Sequence, residues 1–455
     1  MTLLTIIYII FFIIVLISLF MEYRKQKMIT AYIFCKVSFL LYFIIIPIAI
    51  FIILSSENSI ETGFFKYLNP TEIENYWYAL FFSIIFYVCL EIFYKLLLGN
   101  NLKITPVPKN TLQFSKIIDK YAFKIGVGTF FIGLISEVVI IRDLGGITNA
   151  LSKAESLRAF NGNGALLIPQ NHLFLTITMV LTLASTYLIG ISNRIKPSTL
   201  KKVFFLLSFI TSTFYLLFNA GRLGILLFFL CFLLDFAFRN LKHPFLFVIA
   251  ASIVSLALLD KLDDLFFYLS YGYIKKSEYS NVFISMVNEF MFPYTNLLHS
   301  LRMNDYFGLR YGLDFVTWII NLVPYSILSI FNLSKVTTSY DFITTYYLGQ
   351  GSLGGVPTDI LTQGIRQFAT LGIVIISFLI AILCRMIDNV LSKDFFYKYT
   401  FFSLRITSVL FVIIPYADLD SFVKNRMDLV LLFIFILICN KSYKKHFLKN
   451  ETIKS

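Results

Sequence analysis

The chain carries one apolar run after another along its whole length, and most of these runs are long enough to cross a lipid bilayer. A hydrocarbon core about 30 Å thick needs about 20 helical residues. The eleven runs occupy residues 3–20, 30–54, 76–97, 121–141, 166–190, 203–219, 223–238, 245–259, 367–386, 399–414 and 429–440. With 58% hydrophobic and 14% charged residues, the sequence is far more apolar than soluble domains, which have about 45–50% and about 25%. These features predict an all-α polytopic integral membrane protein in which residues 1–455 form a single domain.

The connections between the apolar runs alternate between basic and weakly charged, and this alternation predicts the orientation. Every second connection, together with the C-terminal tail, holds most of the 39 lysines and arginines that give the chain its net charge of +13. Basic residues in short loops mark the cytoplasmic side, so we expect the N-terminus outside and the C-terminus in the cytoplasm. The basic residues form short clusters between apolar runs, which predicts contact with the lipid bilayer and excludes a nucleic-acid partner.

The cysteines and histidines indicate neither a disulfide framework nor a metal centre. The five cysteines are an odd number and all fall within apolar runs, where cysteine behaves as a small hydrophobic residue. The four histidines are scattered without the spacing of metal ligands. We therefore predict that the protein uses no metal and no other cofactor.

One connection, residues 260–366, is a long outer loop that is itself rich in apolar residues. Its segments 282–301 and 315–333 have the length of helices, and each is interrupted by a proline, Pro293 or Pro324. Such segments can be interfacial or re-entrant helices, which leaves eleven spans, or a further pair of spans, which makes thirteen. Both alternatives preserve the predicted orientation.

Two outer connections contain arginines that could bind an anion. The turn at residues 219–222 joins two apolar arms of about 17 residues, or roughly 25 Å, so Arg222 is expected below the outer membrane surface. A submerged arginine usually faces a cavity or an anion, and we favour that role over snorkelling. Arg158, in the amphipathic loop 142–164, is either a phosphate contact or part of a solvated face.

Within the spans, Lys36 and Arg405 are predicted to snorkel, and Glu137 could pair with an outer arginine.

The strongest local pattern is the glycine-rich segment 349–366 before a long apolar helix. Backbone N–H groups around Gly354 and Gly355, together with a helix start near Pro357, form a possible anion site. Asp359 and Arg366 are seven residues apart and therefore lie on one helix face. Thr362, Gln363 and Thr370 extend this face into a polar stripe along the top of the membrane helix. The alternative interpretation is a flexible loop with a polar helix cap.

The remainder of the long loop supplies further candidates for binding and proton transfer. Arg302, Arg310, Asp314 and His299 are the charged or titratable residues that we select here. The loop also contains many tyrosines, whose flat apolar rings and hydroxyl groups suit sugars. Because tyrosine is also enriched wherever a protein meets the membrane interface, we favour an interfacial belt for these tyrosines.

Four stretches of the sequence resemble the Wzy-type oligosaccharide repeat unit polymerases of bacteria, which make O-antigen or capsular polysaccharide. The stretches are Leu144–Phe160 with Arg158, the turn Asn219-Ala-Gly-Arg222, the segment Arg310-Tyr-Gly-Leu-Asp-Phe315 leading to Val323-Pro324, and Gly354-Gly-Val-Pro-Thr-Asp359 continuing to Leu371-Gly372. They occur in the family's order, with a matching span count and a long outer loop. Two positions depart from the pattern, because Ala369 replaces one of two usual glycines and Val323 replaces the usual isoleucine.

The resemblance implies a metal-independent, inverting glycosyltransferase of GT-C type at the outer face of the bacterial inner membrane. Its donor and acceptor would be undecaprenyl-diphosphate-linked glycans, and a chain-length regulator is a further conceivable partner. The diphosphate would then be bound by arginines and by glycine N–H groups, for which the candidates are Arg158, Arg222, Arg302, Arg310, Arg366, Gly354 and Gly355. Asp314 and Asp359, followed by His299, are the candidates for the base that deprotonates the acceptor hydroxyl.

Two alternative functions stay open at this point. The related O-antigen ligases share the architecture, but they carry a histidine in the loop where this chain has Val356-Pro-Thr-Asp359. A lipid-linked oligosaccharide flippase or another transporter would be expected to have short loops and a charged central cavity, unlike the long loop 260–366. The polymerase is therefore the predicted function.

The predicted orientation can be tested with topology reporters. Green fluorescent protein fused after Ser455 is expected to fluoresce, because that end is predicted to be cytoplasmic. Alkaline phosphatase fused after residue 280, in the long outer loop, is expected to be active. Active phosphatase at the C-terminal end, with a dark fluorescent fusion there, would reverse the assignment.

Overall fold

The computed structural model shows a chain built from helices. It describes residues 2–26, 29–56, 60–98, 111–154, 172–218, 222–242, 247, 254, 261, 264–269, 271–273, 282–323, 325–352, 355–393, 400–420 and 426–452. No β-strand occurs in these ranges, in agreement with the predicted all-α class.

The helices are numbered here in chain order. They are α1 (Thr2–Gln26), α2 (Ala31–Ser56), α3 (Ile73–Leu98), α4 (Thr111–Asp143), α5 (Ile147–Ser152), α6 (His172–Ile195), α7 (Thr199–Phe218), α8 (Arg222–Asn240), α9 (Val282–Phe290), α10 (Phe292–Phe307), α11 (Asp314–Leu322), α12 (Tyr325–Ile330), α13 (Ser339–Leu348), α14 (Ile360–Lys393), α15 (Thr400–Ile413) and α16 (Met427–Thr452). A 3₁₀ turn, Gly63–Tyr67, lies between α2 and α3.

Seven helices in the described part of the chain are long and apolar enough to cross a membrane. They are α1, α2, α3, α4, α7, α8 and α14, and they correspond to the predicted spans that begin at residues 3, 30, 76, 121, 203, 223 and 367. The shorter apolar helix α15, together with α6 and α16, coincides with three other predicted spans. Most of the predicted span 245–259 lies outside the described residues. A helical membrane protein is thus confirmed, and the total number of spans stays a prediction.

The long outer loop contains short helices where the sequence has its prolines. The apolar segment 282–301 is divided between α9 and α10 at Met291, and Pro293 lies in the first turn of α10. Segment 315–333 is divided between α11 and α12, and Pro324 lies outside the described residues. Individually these helices have 16 residues or fewer, which is short of the about 20 needed to span a bilayer. Their length favours the interfacial or re-entrant alternative.

The chain forms two compact units, each assembled from separate segments. The first unit consists of Met1–Leu102, Lys276–Asp388 and Thr407–Val423, and the second of Lys103–Lys275, Asn389–Ile406 and Lys424–Ser455. The long loop contributes to both units, because its residues up to 275 belong to the second and its later residues to the first. All predicted site residues of the long loop belong to the first unit.

In the second unit, α4 and α6 pack closely because glycines on α4 leave room for the backbone of α6. A Cβ atom on Gly126 would lie 3.1 Å from the backbone N of Ile189, and one on Gly133 would lie 3.1 Å from that of Thr182. Small residues of this kind allow membrane helices to approach each other. One turn further along α4, Glu137 is buried without a hydrogen-bond partner among the described residues. The side chains of two outer arginines, Arg158 and Arg222, lie outside them, so the predicted pair with an outer arginine stays a prediction.

The prediction that Lys36 and Arg405 snorkel to the membrane surface is wrong. Lys36 is 1% exposed and forms an ion pair with Glu91 within the first unit. Arg405 is 3% exposed, and its Nη2 and Nε donate to Asp428 at 2.6 and 2.9 Å within the second unit. A buried charge is costly unless it is paired, and a carboxylate on a neighbouring segment supplies that partner in both cases.

Helix α14 is interrupted at the point where the predicted span begins. Phe368 and Ala369 have non-helical backbone angles, with φ +51° and ψ −142° at Ala369. The chain turns so sharply here that a Cβ atom on Gly372 would lie 1.8 Å from the carbonyl oxygen of Gly364. The interruption separates a polar half, residues 360–367, from an apolar half, residues 370–393. Ala369 thus adopts a conformation that glycine tolerates best. In the Wzy-type polymerases that the sequence resembles, this position is usually a glycine.

Replacing Ala369 with glycine is expected to stabilise the protein by about 1 kcal/mol, because glycine adopts this positive φ without steric cost. Thermal unfolding of the detergent-solubilised protein measures the effect. The control is Ala381→Gly in the regular half of α14, where Ala381 is fully buried and where glycine should cost roughly 0.5–1 kcal/mol. Equal destabilisation by both variants would mean that the backbone at Ala369 is not strained.

Candidate functional site

The polar half of α14 is buried in the first unit, although it carries several groups that prefer water. Its polar side chains and those just before it are at most 1% exposed: Thr358, Asp359, Thr362, Gln363, Arg366 and Gln367. Burying so many polar groups is costly unless each finds a partner. Many of the partners come from α10, α11 and the start of α13, and together these residues form what we call the polar cluster. Among the described residues, the hydroxyls of Thr358 and Thr362 and Oε1 of Gln363 find no partner.

Arg366 is the largest fully buried side chain in the described part of the protein, and it is only partly satisfied. Its Nη1 donates to the carbonyl oxygens of Met303 and Gly308 at 3.1 and 2.9 Å, and to Oδ1 of Asn304 at 2.7 Å. Within the described part of the chain, its Nε and Nη2 have no hydrogen-bond partner and no carboxylate forms an ion pair with it. A buried guanidinium with two unused donors is suited to binding an anion.

The rings of two phenylalanines lie over the guanidinium groups of this site. The ring centroids of Phe307 and Phe342 lie 5.9 and 5.6 Å from Cζ of Arg366. The ring centroid of Phe342 also lies 5.0 Å from Cζ of Arg310. Arg310 and Arg366 therefore share one aromatic neighbour, although they are far apart in sequence. Both cations belong to one site.

The carboxylate of Asp314 joins the elements of the polar cluster. Its Oδ1 accepts from Nε of Arg310 at 2.5 Å. Its Oδ2 accepts from the backbone N and Oγ of Ser339 at 3.1 and 2.5 Å, and from Nε2 of Gln363 and Gln367 at 3.2 and 2.8 Å. Five donors thus engage the two oxygens of this carboxylate within the protein. Its geometry indicates a role in positioning Arg310 and α14.

The loop between α10 and α11 wraps around the end of the polar half of α14. Two backbone N–H groups of this loop, those of Arg310 and Tyr311, donate to the carbonyl oxygens of Arg366 and Gln367, each at 2.9 Å. Because the helix is interrupted just beyond Gln367, these carbonyls have no partner in a following helical turn. Positive φ values at Gly308, Tyr311 and Gly312 give the loop its tight course.

Asp359 precedes the polar half of α14 and caps its N-terminus. Its Oδ1 accepts from the backbone N of Leu361 at 3.1 Å and of Thr362 at 3.0 Å. Burial raises the pKa of Asp359 to about 7, although the hydrogen bonds from Thr362 and Leu361 act in the opposite direction. A carboxyl group with a pKa near neutrality can take up a proton under physiological conditions.

At the predicted anion site, the described N–H groups at the start of α14 are already used, and Gly354 lies outside the described residues. Asp359 occupies the N–H groups of Leu361 and Thr362, and the N–H of Ile360 donates to the carbonyl oxygen of Ile414 at 2.9 Å. Gly355 is needed for packing, since a Cβ atom there would lie 1.5 Å from the hydroxyl of Tyr340. At the other end of the polar half, Nε and Nη2 of Arg366 have no partner among the described residues, and the hydroxyls of Thr358 and Thr362 have none either.

His299 is buried on α10, and both ring nitrogens are engaged. Its Nε2 lies 2.9 Å from the carbonyl oxygen of Tyr67, and its Nδ1 lies 3.4 Å from the hydroxyl of Tyr346. Burial lowers the pKa of His299, with a smaller opposing effect of the hydrogen bond to Tyr67. The imidazole is therefore neutral at physiological pH, and it holds Tyr346 in place.

The structure brings together only some of the predicted site residues. Arg310, Asp314, Asp359 and Arg366 belong to the polar cluster and its cap, whereas Arg302 forms a partly exposed ion pair with Glu72 at 2.7 Å. Arg158, Gly354 and the side chain of Arg222 lie outside the described residues. Thr370 lies beyond the interruption of α14 and is exposed, so the predicted polar stripe stops at Gln367.

Several residues of the site carry no strong signal in the sequence. Ser339 begins α13 after a capping box formed by Thr338 and Asp341, so the pattern Thr-x-x-Asp could have predicted the helix start but not its contact with Asp314. Asn304 supports both sides of the site, because its Oδ1 accepts from Arg366 and its Nδ2 donates to the carbonyl of Ile365 at 2.9 Å. Within the described residues, no group of three His, Cys, Asp or Glu side chains is arranged to hold a metal ion.

Comparison with known proteins leaves the chain without a match among protein-family models, curated proteins and solved structures. The resemblance to the polymerases therefore depends on the four sequence stretches alone.

The raised pKa of Asp359 predicts how protein stability depends on pH. The folded protein holds a proton that the unfolded chain releases, so stability should fall as the pH rises from about 4 to about 7. Asp359→Asn keeps the capping oxygen and removes the charge. We expect it to be more stable than the wild type by about 2–4 kcal/mol at pH 8 and nearly equal at pH 4, as measured by thermal unfolding.

The control for this measurement is Asp314→Asn, which is expected to destabilise the protein at both pH values because it leaves Arg310 without its carboxylate. A wild type and an Asp359→Asn variant with the same pH profile would show that Asp359 is ionised in the folded state throughout this range.

Proposed function

We propose that the protein is a membrane glycosyltransferase that polymerises undecaprenyl-diphosphate-linked oligosaccharide repeat units, at the outer face of a bacterial inner membrane. The observation that carries the proposal is the fully buried Arg366, whose Nε and Nη2 have no hydrogen-bond partner among the described residues. A buried cation without a carboxylate partner is costly, and binding of an anionic substrate group would offset that cost. A lipid diphosphate is an anion that a protein meets at a membrane surface.

The chemistry of such a transfer needs two kinds of group. The acceptor hydroxyl attacks the anomeric carbon of the donor glycan and loses its proton to a base, while the bond from that carbon to the diphosphate oxygen breaks. Negative charge then develops on the leaving diphosphate, where guanidinium donors stabilise it. We assign Arg366 and Arg310 to the diphosphate, because they share Phe342 as a neighbour, and Arg366 supplies the two free donors.

The base is assigned to Asp359 in preference to Asp314 and His299. A general base is most effective when its pKa lies near the operating pH, and the pKa of Asp359 is about 7. Asp314 is surrounded by donors, and His299 uses both ring nitrogens within the protein. In this proposal Asp314 orients Arg310, and His299 orients Tyr346.

The test is a deletion strain of the source bacterium, complemented with variants and analysed for surface glycan on a gel. Loss of the protein is expected to leave single repeat units on their acceptor. Arg366→Lys and Asp359→Asn are each expected to lower the amount of polymer by about 100-fold or more, because each removes a group that acts in the transition state. Membrane levels of every variant are measured in parallel.

The matched control is Arg142→Lys, since the side chain of Arg142 is 75% exposed and its ion pair in the described part of the chain is with its neighbour Asp143. It should leave polymer at the wild-type level. Bare acceptor with polymer retained on the carrier lipid would indicate a ligase, and repeat units accumulating on the cytoplasmic side would indicate a flippase. Normal polymer in Arg366→Lys would remove the assigned role of the arginine.

A further inference from the structure

A continuous path of aromatic rings leads away from the buried arginine of the first unit. Consecutive rings along it have centroids 5.2, 6.3, 6.3, 5.2, 4.6 and 6.3 Å apart. The rings, in order, are those of Phe342, Phe307, Tyr306, Tyr346, Tyr347, Tyr67 and Phe64. We call this set the ring path. Its first two members are the phenylalanines that lie over Arg366, so one end of the path is at the candidate site.

The middle of the ring path is open to the surroundings and is bordered by charged side chains. Tyr306 is 76% exposed, and Tyr346 and Phe307 are partly exposed. Arg302, one helical turn before Tyr306 on α10, donates to Glu72 at 2.7 Å. Exposed ring faces therefore stand beside a guanidinium and a carboxylate that can bind hydroxyl groups.

This combination differs from the apolar surface that the same unit presents on α11 and α12. There Val316, Ile319 and Ile330 are exposed at 57, 54 and 74%, which is the composition expected where a helix meets lipid. The ring path mixes rings with an ion pair and hydroxyl groups, and its ion pair would be poorly placed against lipid. A sugar has apolar C–H faces and polar edges, and it can use both kinds of group together.

We propose that the ring path binds the glycan chain of the substrate, with successive sugars lying over Phe307, Tyr306 and Tyr346 as the chain extends from the diphosphate site. This inference rests on the proposed function and adds the route of the polymer. Arg302 and Glu72 bind sugar hydroxyls at the border of the path. His299 contributes indirectly, because its Nδ1 lies 3.4 Å from the Tyr346 hydroxyl and keeps that ring in position.

The first experiment measures polymer length in the complemented deletion strain. Tyr306→Ala is expected to shorten the modal polymer length severalfold while still forming the first linkages, because the chain is released earlier when a ring is missing. Tyr306→Phe keeps the ring and should restore the wild-type length. Because Tyr306 is highly exposed, neither change should disturb folding, and the amount of protein in the membrane checks this.

The control outside the path is Tyr271→Ala. Tyr271 is 52% exposed and contacts the rings of Phe267 and Tyr273 in the second unit, so it matches Tyr306 as an exposed, ring-contacting tyrosine. Its removal should leave the polymer unchanged. If Arg366→Lys loses its polymer while Tyr306→Ala, tested separately, keeps the wild-type polymer length, the ring-path proposal is overturned. The proposed polymerase function would then remain.

A second experiment tests the ring path without relying on catalysis. Surface polysaccharide of the wild-type source bacterium is cut into carrier-free fragments several repeat units long. These fragments are titrated against the purified full-length protein in a calorimeter. Tyr306→Ala is expected to weaken binding by about fivefold, whereas Tyr306→Phe and Tyr271→Ala keep it. Equal affinity of all four proteins, or no binding by the wild type, would overturn the proposal. If the deletion strain still makes polymer, the polymerase proposal fails instead.

Discussion

The carboxylate of Asp314 is the interaction on which the rest of the candidate site depends. It accepts hydrogen bonds from Arg310 on the preceding loop, from Ser339 at the start of α13, and from Gln363 and Gln367 on α14. A buried carboxylate is stable only when donors surround it, so three separate chain segments are held in one arrangement. Without any one of these segments, the charge of Asp314 would lack part of its donors in an apolar interior. The arrangement of each segment therefore depends on the others.

The interruption of α14 follows from the same arrangement. A continuous helix would use the carbonyl oxygens of Arg366 and Gln367 within its next turn. Because the helix stops at Phe368, these oxygens instead accept the N–H groups of the loop that carries Arg310. The interruption thus joins Arg310 and Arg366 through the backbone, while the polar half stays separate from the apolar half. A membrane helix can afford such a break only where neighbouring protein groups satisfy the freed backbone.

The sequence allows the spans to be predicted but only part of the site. Length and apolarity alone identify a bilayer helix, and a start at residue 367 is close to the observed interruption. Spacing also places Asp359 and Arg366 on one helix face. Contacts between distant segments, such as that between Asp314 and Ser339, leave no local pattern. The same limit explains the error at Lys36, whose partner Glu91 is on another helix. Which donors of the polar half stay without a partner likewise depends on contacts with distant segments, which leave no local pattern.

The proposed base, Asp359, and the proposed leaving-group arginine, Arg366, lie at the two ends of the polar half. Seven residues of helix between Asp359 and Arg366 correspond to about 10 Å along the axis. In an inverting transfer the acceptor and the leaving group occupy opposite sides of the anomeric carbon, so the base and the groups that bind the leaving group cannot be adjacent. Catalytic carboxyls of inverting glycosidases, which must accommodate a water molecule between them, lie about 6.5–9.5 Å apart. The oxygen of a sugar hydroxyl is similar in size to that water molecule. Two rigid helical turns would fix the distance between Asp359 and Arg366 without help from a flexible loop.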